Sequence, residues 1–253
     1  MNRSKFIDEA RIALGPYLSL RGCFIYSAGT TLRENRVLLY GLNPGQNPEE
    51  DHPSNPLLGC SIANFSEDQP NLISTERWLK PSHSRHKGHE YEPGKAPYQQ
   101  QVTYLLNSIE HPDALVTNLI FLQTRNADDL RDLLRGDDGE KLQCACWTVH
   151  QHLLNITKAR ALIAIGIGPY NRLCRLVGAT DRAAKRFASG YGRWECRLTS
   201  THWSGREIAI IGIPHLSWYR INRHIEVCSS VKKKVAESLV RVGIDGPPNG
   251  KAR

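Results

Sequence analysis

Apolar residues in this chain fall into short runs set far apart. Val37–Tyr40, Leu115–Leu119, Ala161–Ile165 and Ile208–Ile213 are rich in Val, Ile and Leu and lack the alternation of a half-exposed strand. Such runs fit central strands of a parallel sheet covered on both faces. Helical spacing appears elsewhere. Phe6, Ile7, Ala10, Ala13 and Leu14 share one helical face until Gly15-Pro16 stops the pattern. Further helices are expected from near Ala96 through Leu105 to Ile109, from about Lys141 to Ile156, from about Pro169 to Val177, and from after Asn222 to near Val242. Strands that alternate with helices predict an α/β fold, a three-layer α/β/α sandwich around a mostly parallel four-stranded sheet.

The length of 253 residues suits one domain. Its expected extent is 1–243, with a polar surface insertion at 66–95 and a disordered tail at 244–253. Hydrophobic residues at 40% and charged residues at 23% exclude a disordered chain. The net charge of +8 is compatible with an anionic polymer as partner. The seven cysteines are odd in number and mostly isolated, which reads as reduced intracellular thiols rather than a disulfide framework. Met1–Phe6 has no apolar signal region, and no apolar run reaches membrane-spanning length. A cytosolic or nucleoid-associated monomer, or a nuclear one in a eukaryote, is the expectation, with no membrane partner.

In open α/β sheets a ligand sits outside the carboxyl ends of the strands, so the residues just after each run matter most. These are Gly41-Leu42-Asn43-Pro44-Gly45, Thr117-Asn118-Leu119-Ile120 with Thr124-Arg125 and Asp129-Leu130 beyond, Gly166-Ile167-Gly168-Pro169-Tyr170, and Pro214-His215-Leu216-Ser217. Each places small or polar residues at a strand end, where together they can line one pocket.

The four segments in this order resemble the motifs of the uracil-DNA glycosylase superfamily. Gly41–Gly45 looks like the first motif of its mismatch-specific and single-strand-selective branches, and Val116–Ile120 looks like the second-strand segment of the mismatch-specific branch. Ala161–Gly166 is similar to the third strand and its glycine, and Pro214–Ser217 to the last motif. The resemblance implies a DNA glycosylase without cofactor or metal, acting on a deaminated or damaged pyrimidine, above all uracil, with DNA as partner. Two positions depart from the pattern. Asn43 stands where the fastest members carry Asp, and Leu216 where many carry Pro.

Hydrolysis of an N-glycosidic bond sets its own requirements. The sugar becomes cationic, the departing base gathers negative charge, and a water must be held under the anomeric carbon. His215 can donate to the base oxygen on which charge develops. Asn118 offers an amide donor and acceptor to the edge of a flipped pyrimidine. Asn43 can hold a water, although an amide cannot take its proton. Backbone N–H groups near Gly41–Gly45, Gly41 and Leu42 among them, can bind the base or a phosphate. Ser217 can hold a phosphate or orient His215. Trp218, Tyr219, Arg220, Asn222 and Arg223 form either a loop that fills the hole left by the base and holds phosphates, or a helix start with Trp218 in the core.

Other readings stay open at this point. Gly41–Gly45 also reads as a tight turn, Asn118 as a loop-satisfying amide and His215 as a structural histidine. The alternatives for function are a nucleic-acid-binding module without rapid chemistry and a small-molecule nucleoside or nucleotide hydrolase. A dinucleotide site is disfavoured because Asn171 occupies the place of the third glycine after Gly166 and Gly168. His83, His86 and His89, and Cys144, Cys146 and His150, lack standard zinc spacing. No Gly-x-Ser-x-Gly elbow is present.

Overall fold

The computed structural model describes residues 3–34, 36–42, 65–66, 68–78, 91–124 and 126–240. Asn43, Pro44, Gly45, Arg125, the histidines at 83, 86 and 89 and the expected tail at 244–253 lie outside the described residues.

Among the described residues the sheet has six strands rather than four. They are β1 (Val37–Gly41), β2 (Leu115–Asn118), β3 (Ala161–Ile165), β4 (Lys185–Ala188), β5 (Glu195–Trp203) and β6 (Arg206–Ile213), in the order β2-β1-β3-β6-β5-β4. The four strands expected from apolar runs are mutually adjacent and parallel. The two additional strands make the sheet mixed, because β5 pairs antiparallel with both β6 and β4. A two-residue turn at Ser204-Gly205 joins β5 to β6, with φ of 48° and 74°, the backbone that suits a tight hairpin.

Seven α-helices lie among the described residues: α1 (Arg3–Leu14), α2 (Leu72–Thr75), α3 (Pro97–Ser108), α4 (Ala127–Leu133), α5 (Gly136–Thr157), α6 (Ile167–Leu176) and α7 (Ile225–Val240). Side chains alternate across the sheet. Leu38, Leu115, Leu162 and Ile210 stand in one register and pack with Phe6 of α1, Leu153 of α5 and Leu173 of α6. Leu39, Val116, Ile163 and Ile211 point the other way, toward Leu105 of α3 and Val231 of α7. Helices therefore cover both faces, which explains why β1, β2 and β3 are buried at every position.

Part of the segment expected as a surface insertion enters the core. Leu72 and Ile73 of α2 are 5% and 3% exposed. No helix among the described residues is long and apolar enough to cross a membrane.

Candidate functional site

Parallel pairing brings the ends of β1 and β2 level. Gly41 stands opposite Asn118, and Leu119 and Ile120 extend the ladder by donating to the carbonyls of Gly41 and Leu42 at 3.0 and 2.9 Å. A Cβ built on Gly41 would lie 2.0 Å from Asn118 Oδ1 and 3.6 Å from the Tyr98 hydroxyl. Only glycine leaves the Asn118 amide where it is. Leu42 is half-buried and packs against the core. His150, fully buried on α5, donates from Nε2 to the Leu119 carbonyl at 3.1 Å and so fixes the backbone just beyond Asn118. Burial lowers the His150 pKa to about 4, so the ring is neutral.

At the end of β3, Gly166 adopts φ 100°, a conformation open to glycine. Its N–H donates to the Ile213 carbonyl at 2.7 Å, joining the ends of β3 and β6. His215 stands against this turn, with its Cδ2 3.6 Å from the position of a Cβ on Gly166.

The chain after β6 folds back at once. The N–H groups of Trp218 and Tyr219 both donate to the His215 carbonyl, at 3.2 and 3.0 Å. Inside this turn the Ser217 N–H donates to His215 Nδ1 at 3.3 Å. An accepting Nδ1 carries no proton, so the neutral ring holds its proton on Nε2. The ring reaches solvent at its edge. His215 is exposed as a residue, yet the protein packed against its ring disfavours the cation and lowers its pKa from the usual 6.5. At neutral pH His215 is an uncharged donor.

An aromatic wall completes the site. Pro97 in the first turn of α3 fixes the helix start. The Gln99 side chain accepts from the Ala96 N–H at 3.0 Å and donates to the Glu76 carbonyl at 3.0 Å. These bonds fasten residues 76–78 to the start of α3. Trp78 stacks on Tyr98, with centroids 5.6 Å apart and planes at 18°, and the Tyr98 ring lies 6.0 Å from His215.

Behind the wall sit Tyr26 and Glu76, 4% and 2% exposed. Tyr26 runs beside β2, its N–H donating to the Val116 carbonyl at 2.8 Å. Burial raises the Tyr26 pKa, the charges of Cys23 and Glu76 raise it further, and the nearby Asn118 amide opposes them. The Tyr26 hydroxyl, both Glu76 carboxyl oxygens and the Trp78 indole nitrogen make no hydrogen bond of normal geometry. Burial pushes the Glu76 carboxyl up to about 7, and the neighbouring Trp78 indole only partly offsets this. Buried titratable groups with raised pKa values, held beside Asn118 and Trp78, make this cluster a candidate functional region.

The structure therefore brings Gly41, Leu42, Asn118 and His215 to one end of the sheet. Ser217, Trp218, Arg220 and Arg223 are exposed on the loop beyond it. Tyr219 is different. It is 1% exposed, its hydroxyl donates to the Ser189 carbonyl, and its ring stacks on His224 at 4.6 Å. It braces the loop from inside and offers no surface to a ligand. Sequence reasoning missed Tyr26, Glu76, Trp78 and Tyr98. The one available signal was Pro97-Tyr98 at a helix start beside a polar stretch that also holds Trp78.

A separate depression, lined by Lys185, Thr199, Glu207 and Lys234, lies toward the amino end of β6 and has no part in this cluster. No group of three or more His, Cys, Asp or Glu side chains that could hold a metal ion occurs among the described residues. No known protein-family model matches the chain, and no curated protein sequence matches it significantly.

Proposed function

We propose that the protein is a DNA glycosylase that hydrolyses the N-glycosidic bond of a flipped, deaminated or damaged pyrimidine, above all uracil. The observation that carries this is the state of His215. A neutral ring with its proton held on Nε2, at the strand ends where Asn118 also stands, is an electrophilic donor of the kind a departing base anion needs.

In this mechanism the base leaves the stack and enters beside Tyr98 and Asn118. The Asn118 amide reads its edge through one donor and one acceptor. His215 Nε2–H donates to the base oxygen as the glycosidic bond lengthens and negative charge moves onto the base. The sugar, now cationic, takes a hydroxyl from water, and the proton released leaves to solvent or to the base. Asn43 enters through the sequence resemblance alone, as the residue that would hold this water. The three-layer α/β/α arrangement of the superfamily accords with helices on both faces of the sheet, and the net charge of +8 with a phosphate-bearing partner.

The test is single-turnover incubation with labelled oligonucleotides carrying uracil, hypoxanthine, xanthine or a thymine mismatch, followed by alkali. Strand breaks at one of these bases are expected, with uracil foremost. Intact strands with every substrate, at enzyme excess, would remove the glycosylase proposal.

A further inference from the structure

Three aromatic rings are exposed among the described residues: Tyr191 at 45%, Trp194 at 50% and Trp218 at 70%. Two of them belong to the turn between β4 and β5, a hairpin with no strong signal in the sequence. Register puts this turn at the functional end of the sheet. Arg197 of β5 pairs with Gly212 of β6, and Ala188 of β4 with Glu195 of β5. Residues 189–194 therefore project past Ile213, on the side where His215 stands.

The turn and the His215 loop are fastened together. The Tyr219 hydroxyl donates to the Ser189 carbonyl, and the Tyr191 and Tyr219 rings meet edge to face at 5.8 Å. Within the turn, the Ser189 hydroxyl donates to the Trp194 carbonyl at 2.7 Å, which holds the turn closed. Cations alternate with the rings along the chain. Arg186 and Arg197 are committed to Asp181, and Arg186 also to Glu195. Arg193, Arg220 and Arg223 are exposed and form no ion pair among the described residues.

We infer that the Tyr191–Trp194 turn and Trp218 form a stacking platform for the unpaired bases of a single-stranded DNA segment that passes the His215 loop, with Arg193, Arg220 and Arg223 on its phosphates. The inference rests on the nucleic-acid partner proposed above and adds the strand type. Exposed rings near exposed cations suit bases whose faces are open, since any base can stack and the backbone meets positive charge. A duplex keeps those faces covered. A protein partner would be met by a continuous apolar patch, whereas here Arg193 stands between Tyr191 and Trp194 along the chain, and Arg220 and Arg223 follow Trp218.

The test is fluorescence anisotropy of the full chain with a labelled oligonucleotide of ordinary bases, single-stranded or annealed to its complement. Because the probe holds no excisable base, the readout is independent of cleavage. Single strand should bind at least about tenfold more tightly than duplex. The Tyr191→Ser, Trp194→Ser double variant should lose roughly tenfold per stack on single strand while its salt slope is unchanged. Tyr191→Phe with Trp194→Phe, which keeps two rings, should retain most of the affinity. Arg193→Glu should also weaken binding but, unlike the serine pair, flatten the salt slope by about 0.7 or more. Wild-type affinity in a serine variant with native far-UV circular dichroism and cooperative unfolding, equal loss in the serine and phenylalanine pairs, or tighter binding to duplex would each overturn the inference. Lack of cleavage with single-strand binding intact would count against the glycosylase proposal alone.

Discussion

The backbone N–H of Ser217 donates to Nδ1 of His215 at 3.3 Å, and this bond decides which imidazole nitrogen faces a ligand as a donor. Protonation of Nδ1 would set two N–H groups against each other. Burial already disfavours the cation and lowers the His215 pKa from 6.5. The proposed role therefore needs the neutral ring, and cleavage should decline as pH falls through the lowered His215 pKa. His215→Ala should remove this acidic limb from the single-turnover pH profile. It should also cost about two to three powers of ten in rate, as loss of one oxyanion donor does, with little change in DNA affinity. An unaltered rate would take His215 out of the chemistry.

Gly41 and Asn118 should behave as one unit. A Cβ at Gly41 would fall 2.0 Å from Asn118 Oδ1, so Gly41→Ala must displace the amide. A stability loss of about 1–3 kcal/mol is expected from the overlap, together with loss of cleavage. Truncating Asn118 removes the obstacle. In a double-mutant cycle, Gly41→Ala with Asn118→Ala should recover much of the stability and none of the activity. Additive losses in urea unfolding would mean that the two side chains do not meet.

Glu76 and His150 make opposite demands on pH. The Glu76 pKa rises from 4.5 to about 7 on folding, so the folded state holds a proton that the unfolded chain releases between these values. Its contribution to stability is undiminished below pH 4.5 and falls as pH rises to about 7, by about 3 kcal/mol in all. His150 is lowered from 6.5 to about 4, so its contribution is present above pH 6.5 and lost as pH falls to about 4. The two slopes nearly cancel in the wild type. Glu76→Gln should expose the histidine slope, with unfolding free energy rising from pH 4 to 6.5 and exceeding wild type above pH 7. Parallel wild-type and variant curves would show that Glu76 does not titrate in this range.

Tyr219→Phe separates bracing from contact. The variant keeps the ring stack on His224 and leaves the Ser189 carbonyl without its hydroxyl partner. A loss of about 1 kcal/mol is expected in thermal or urea unfolding, with little effect on nucleic-acid affinity. A large affinity loss at unchanged stability would give Tyr219 a direct part in binding.

The parallel part of the sheet was legible because burial on both faces leaves unbroken apolar runs such as Ala161–Ile165. The antiparallel part was not. Lys185–Ala188 is exposed at three of four positions, and Glu195–Trp203 carries Glu, Arg and His among its apolar residues. Neither run has a clean period. Gly41, Asn118 and His215 could be read as site residues because strand ends collect ligands in such sheets. Glu76 had no such marker. Its position depends on α2 packing into the core and on Gln99 gripping its carbonyl, contacts that no local pattern encodes. Tyr219 shows the opposite difficulty. A tyrosine between Trp218 and Arg220 reads as a surface residue until the β4–β5 turn is known to lie beside it.

β4 also bears on how the molecule meets copies of itself. A sheet margin is a template for a further strand from another chain. At the β2 margin Tyr26 and Ser27 occupy the backbone: the Tyr26 N–H donates to the Val116 carbonyl, and the Val116 N–H donates to the Ser27 hydroxyl oxygen. At the opposite margin β4 is four residues long and begins with Lys185 and Arg186. A like strand laid parallel and in register would set Lys185 beside Lys185 over a short ladder. The hairpin that carries the aromatic turn thus also guards the sheet against edge-to-edge aggregation, and truncating it should leave Ile208–Ile213 open to strand addition from a neighbouring chain.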